Sequence, residues 1–133
     1  MALVVLDTSV IVGFLDPEDT LHEACVAALF EHHQDDLRIP ASVYAEILVA
    51  PYRTGAEAVA AVESFLSDLG VKVEPISAPI ARAAAQLRSA RKGLRLPDAL
   101  VLATADELDA DVVLTGDASW AKVSQRATIV RAG

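Results

Sequence analysis

"LVVLDTSV", residues 3–10, is the stretch that decides the fold. An apolar run with β-branched residues at its centre ends in an acid, which predicts a buried strand over 3–7. A short helix from about Thr8 to Leu15 should follow, stopped by "DPED" at 16–19. "DVVLTGD" (111–117) repeats the arrangement: a buried strand over 111–115, then Asp117 two residues past its end. Between them "LRIP" (37–40) and "VKVEPI" (71–76) read as strands, and "ATIVR" (127–131) as a last one. Helical spacing of apolar residues predicts helices over 18–33, from Ser42 to about Ala50, over 55–69, and from about Ala78 to Lys92. Pro51 should end the second of these and Gly70 cap the third. A further helix, with Pro97 at its first position, runs to about Leu108, and "DASWAKV" (117–123) makes a short one. Strands alternating with helices imply a parallel sheet covered on both faces. Ligands bind such sheets beyond the carboxyl ends of their strands, where Asp7 and Asp117 both project.

The 133 residues fit one domain, 1–133, around one core, and 53% of them are hydrophobic. The mean hydropathy of +0.39 leaves apolar surface for a partner. The opening residues carry no basic segment and meet an acid by position 7, so no signal peptide is expected. No apolar run approaches a membrane span. One cysteine, Cys25, excludes an internal disulfide, fits a reducing cytoplasmic setting, and falls among the apolar positions of its helix as a small core residue.

Four acids stand in apolar or structured settings: Asp7, Glu46, Asp98 and Asp117. Each has an ordinary reading as a helix cap, a first-turn acid or an exposed helix residue. Caps alone have no reason to converge on one edge of a sheet. The other acids, Asp19 and Asp36 among them, read as solvated turn or surface residues. Two like charges about 4 Å apart repel by about 1 kcal/mol in water and about 4 at an effective dielectric near 20. A converged set therefore calls for a cation, and oxygen-only donors select Mg²⁺ or Mn²⁺. His22, His32 and His33 all fall in one early helix, read as its solvent side. Neither G-x-S-x-G nor a P-loop is present.

"VVLDTSV", "AEIL", "LPDALVLATA" and "LTGD", in that order along essentially the whole chain, resemble the PIN-domain ribonucleases. The small size resembles the VapC toxins of bacterial VapBC toxin–antitoxin pairs. The resemblance implies a PIN-like three-layer α/β/α sandwich with a central, mainly parallel sheet of four to five strands. It implies an Mg²⁺- or Mn²⁺-dependent endoribonuclease that leaves 5′-phosphate and 3′-hydroxyl ends. Asp7, Glu46, Asp98 and Asp117 would form its catalytic, metal-holding cluster, with Thr8 or Ser9 supporting the first acid and Thr115 behind the others. A further acid often stands near the fourth in that family, whereas here only Gly116 and Asp117 stand. A VapB-like antitoxin and a PIN–PIN homodimer or toxin–antitoxin hetero-oligomer complete what it implies.

Net charge is −8, yet residues 75–97 hold Arg82, Arg88, Arg91, Lys92 and Arg95 and no acid, so +5 there leaves −13 elsewhere. Arg88 and Lys92, four apart on one helix, and Arg91 and Arg95 around Gly93 are candidate contacts for RNA phosphates. Trp120 reads as packing under the loop rather than as a base-stacking platform. A receiver-like domain would need an acid pair at the first strand end, and a haloacid-dehalogenase-type phosphatase an acid where Ser9 stands. The alternative that survives is a catalytically silent PIN fold that binds RNA or protein.

Overall fold

The computed structural model describes all residues, 1–133. Five strands, β1 (Leu3–Leu6), β2 (Asp36–Pro40), β3 (Lys72–Glu74), β4 (Val112–Thr115) and β5 (Ala127–Ile129), form one sheet in the order β3-β2-β1-β4-β5. Every pairing is parallel, with Leu6 opposite Leu114 and Thr115 opposite Ile129. The sheet is thus wholly parallel, at the upper end of the expected strand count. β2 and β3 extend it to one side of β1, β4 and β5 to the other, so the strand order reverses between β1 and β4. That reversal opens the crevice where parallel sheets take ligands.

Helices α1 (Thr8–Leu15), α2 (His22–Glu31), α3 (Ala41–Thr54), α4 (Ala56–Asp68), α5 (Ala78–Ala90) and α6 (Leu96–Glu107) make the crossovers, and a 3₁₀ helix covers Ala118–Lys122. Right-handed crossovers leaving β1 and β2 in one direction, and β3 in the other, put α1–α4 and α5–α6 on opposite faces. Val4, Val5, Leu6, Leu37, Ile39 and Val113 are buried in the sheet. In α6, Ala99 and every residue from Val101 to Ala105 are buried, as its nearly continuous apolar sequence predicts. The side chain of Thr104 survives there by donating to the Leu100 carbonyl at 2.7 Å.

Local chemistry moved several boundaries. α2 starts at His22 rather than 18, because Asp19 makes a turn of its own: Oδ1 accepts from the Leu21 N–H at 2.8 Å and its carbonyl from the His22 N–H at 2.9 Å. α3 runs through Pro51 to Thr54, since one missing N–H near a helix end does not stop the Gly55 N–H from closing on the Pro51 carbonyl. α5 ends at Ala90, so Lys92 lies in the following turn and does not share a helix face with Arg88. α6 starts at Leu96, with Pro97 second.

The histidines are not one helix's solvent side. His22 opens α2 with Nδ1 2.9 Å from the Gly13 carbonyl, and His32, beyond the helix, meets Asp35 at 2.7 Å. Asp36 is not a solvated turn acid either. It lies in β2 and receives two hydrogen bonds from Arg38, at 3.1 and 2.7 Å. Cys25 is fully buried, and burial pushes its thiol pKa up, as befits a core residue. A Cβ on Gly13 would lie 2.6 Å from its sulfur, so only glycine lets α1 and α2 pack this closely.

Candidate active site

A cavity of about 560 Å³ opens at the β1/β4 switch point. Asp7, Glu46, Asp98 and Asp117 all line it, from four different segments of the chain. Asp7 follows β1, Glu46 lies on α3, Asp98 in the first turn of α6, and Asp117 two residues past β4.

Asp7 is 8% exposed and held by three donors. The Thr8 N–H reaches Oδ1 at 2.8 Å; the hydroxyls of Ser9 and Thr115 reach Oδ2 at 2.9 and 2.8 Å. Both hydroxyls also accept: Ser9 Oγ from the Gly116 N–H at 2.9 Å, Thr115 Oγ1 from the Asp117 N–H at 3.1 Å. The ends of β1 and β4 are therefore tied by two bridging hydroxyls. Thr8 turns the other way, its hydroxyl donating to Glu46 at 3.1 Å. Asp117 caps the 3₁₀ helix, accepting from the Ser119 N–H at 2.9 Å and hydroxyl at 2.6 Å. Capping and facing the cavity are thus compatible for Asp7 and Asp117.

Asp98 is half-buried, and burial pushes its pKa above the ordinary carboxylate value. Arg95, its Nε 3.7 Å from Oδ2, pulls the other way, while the charges of Asp7 and Asp117 add to the rise. Of the four cations singled out in the sequence, Arg95 alone lines this cavity. Arg91 lines a neighbouring one, and Arg88 and Lys92 line neither.

Two features escaped the sequence. Asp19, read as a solvated turn acid, lines the cavity too, because the α1–α2 reversal brings it back to this edge of the sheet. Its one local signal is the turn it caps before α2. Gly116 stands beside the fourth acid, where the family often has a further one: a Cβ there would lie 2.7 Å from Leu21 Cδ1 and 3.4 Å from Ser9 Oγ. A side chain at that position would displace the end of Leu21. Trp120 is buried beneath the same loop, in the packing role its position implied, while also lining the cavity.

The donor chemistry suits a hard cation, since carboxylate and hydroxyl oxygens line the wall and no histidine or cysteine does. No three His, Cys, Asp or Glu side chains are grouped closely enough to enclose an ion by themselves. An ion would be held by one or two carboxylates with water filling its shell, which is the usual manner of Mg²⁺. No helix of the chain is long and apolar enough to cross a membrane.

The family profile described as PIN domain matches residues 4–125. No curated protein sequence matches the chain. Among solved structures, a toxin–antitoxin complex from Klebsiella pneumoniae superposes with a TM-score of 0.80 at 22% identity, over 96% of this chain and 98% of that one. FitAcB from Neisseria gonorrhoeae gives 0.74 at 25% identity, over 95% and 96%. DNA-bound VapBC from Salmonella typhimurium gives 0.74 at 20%, over 98% and 100%.

Proposed function

The chain belongs to the PIN-domain family, and from that premise we propose that it is a divalent-metal-dependent endoribonuclease, the toxin of a toxin–antitoxin pair. The observation that carries this is the placing of Asp7, Glu46, Asp98 and Asp117 around one cavity at the switch point of the sheet. Of Asp7, Asp98, Asp117 and Glu46, one or two would hold Mg²⁺ or Mn²⁺ directly and the others through its bound water, and the ion would polarise a phosphodiester oxygen and acidify water.

The chain's own groups do the rest. Ser9 and Thr115 keep the Asp7 carboxylate aimed into the cavity, and Thr8 does the same for Glu46. Asp98, on the cavity wall beside Arg95, takes the proton of the attacking water at its carboxylate oxygen. Arg95, beside it and largely exposed, grips the phosphate about to be cut and offsets charge gathering on the leaving oxygen.

The toxin assignment draws on the fold shared with the Klebsiella toxin–antitoxin complex and with VapBC. The same proposal includes one PIN domain over 1–133, a cytoplasmic setting, a VapB-like antitoxin and assembly as a homodimer or hetero-oligomer with it.

Total RNA incubated with the protein and Mg²⁺ should yield new 5′-phosphate ends. EDTA, or the substitution Asp7→Asn, should abolish them. Cleavage by Asp7→Asn at the wild-type rate would reject the site. No cleavage by the wild type would favour a silent RNA- or protein-binding PIN fold.

A further inference from the structure

Beside the acidic cavity lies a second of about 310 Å³, between the α5–α6 turn and the 3₁₀ helix. Its floor is Leu94 and Val123, its rim Arg91, Gly93, Ser119 and Lys122. Arg91 and Lys122 come from segments about 30 residues apart, one preceding Asp98 and the other following Asp117. Neither side chain takes part in an ion pair. Two exposed cations from separate elements thus face one hollow with no internal counter-charge.

Ser119 joins the two cavities. It lines this one, and its hydroxyl donates to Asp117, which lines the other. The Ser119–Asp117 hydrogen bond therefore links a site lined by five carboxylates to one bearing two cations. Arg95 is the one cation among five carboxylates in the acidic cavity, which repels a polyanion unless a metal ion intervenes, so further attraction for a strand comes from its flank.

We infer that this second cavity is a phosphate subsite for single-stranded RNA, seating a backbone phosphate next to the one cut. Arg91 and Lys122 hold the phosphate, and the apolar floor takes the face of the adjoining ribose or base. Its volume stands at the lower end of the range for small-molecule pockets, ~300–1,000 Å³, which suits one nucleotide. The inference rests on the nuclease reading for the identity of the strand, but its own signature is binding rather than cutting.

The test is fluorescence anisotropy with a short, fluorescein-labelled, single-stranded oligoribonucleotide of mixed sequence, in EDTA so that nothing is cleaved, across a salt series. Lys122→Ala and Arg91→Ala should each weaken binding several-fold, and each lost phosphate contact should lower the slope of log affinity on log salt by about 0.7. Lys122→Arg should restore most of the affinity. Lys72→Ala, on the far edge strand, should change neither quantity. Circular dichroism checks that the variants fold, and Lys122→Gln replaces any that does not. Wild-type affinity and slope in the Arg91→Ala/Lys122→Ala double variant would overturn the subsite, as would no binding by the wild type at low salt. Binding that behaves as expected without cleavage of total RNA in Mg²⁺ would leave the subsite standing and remove the nuclease.

Discussion

The Thr115 hydroxyl donates to the Asp7 carboxylate over 2.8 Å, across 108 residues of sequence, and accepts from the Asp117 N–H at 3.1 Å. One buried oxygen thereby sets the positions of two acids on adjacent strand ends.

Thr115→Val keeps the shape and deletes that oxygen. It leaves the Asp117 N–H without its partner and Asp7 short of one donor, at about 1–3 kcal/mol. Urea unfolding should register the loss and RNA cleavage should fall, while Thr115→Ser should recover much of both. Stability unchanged in the valine variant would mean that the bridge contributes nothing.

Asp98 is a charge held where burial and two like charges disfavour it, with Arg95 only partly compensating. Asp98→Asn removes that unfavourable charge. In EDTA its Tm should exceed that of the wild type, while cleavage in Mg²⁺ should fall by about 10²–10⁴-fold, the usual range for a lost general base. A lower Tm together with undiminished cleavage would contradict both roles.

On the other side of the sheet, Arg38 bonds Asp36 on its own strand and Glu74 on the edge strand β3. Arg38 first of all holds the Asp36 carboxyl below the ordinary carboxylate range. A depressed carboxylate stabilises the fold above its unfolded pKa, about 3.9, and that contribution disappears as pH falls through the folded value. Arg38→Gln should therefore be less stable than the wild type at neutral pH. The gap should narrow below about pH 4, where Asp36 protonates in the unfolded chain and then in the folded one. Thermal melts at both pH values give the comparison, and a gap that does not change with pH would refute the coupling.

Gly116 meets Leu21 and Ser9 where a side chain would begin. Gly116→Ala should destabilise by about 1–3 kcal/mol, the usual penalty of overpacking. It should leave cleavage largely intact, because the Cβ would meet Ser9 Oγ only at an ordinary contact of 3.4 Å. A variant as stable as the wild type would show that Leu21 yields freely.

Much of this was legible in the sequence. "LVVLD" and "DVVLT" are apolar enough to be central strands and nothing else, and the apolar run after Asp98 can only be a buried helix. Their acids mark the edge where a parallel sheet binds ligands. The helix ends were less legible. Pro51 reads as a stop, yet near a helix terminus its missing N–H costs only one bond. Lys92 reads as helical, yet the chain must turn before Gly93 to deliver Asp98 to the cavity.

From the sequence alone come the strand ends, the helix openings and the carboxylates placed on them, because burial and periodicity act over a few neighbouring residues. Tertiary structure alone decided that Thr115 reaches Asp7, that Asp19 joins the cavity wall, that Gly116 lies against Leu21 and that Arg91 and Lys122 line one hollow. Each of those joins segments that lie apart along the chain, and the path of the crossovers, not any local preference, brings them together.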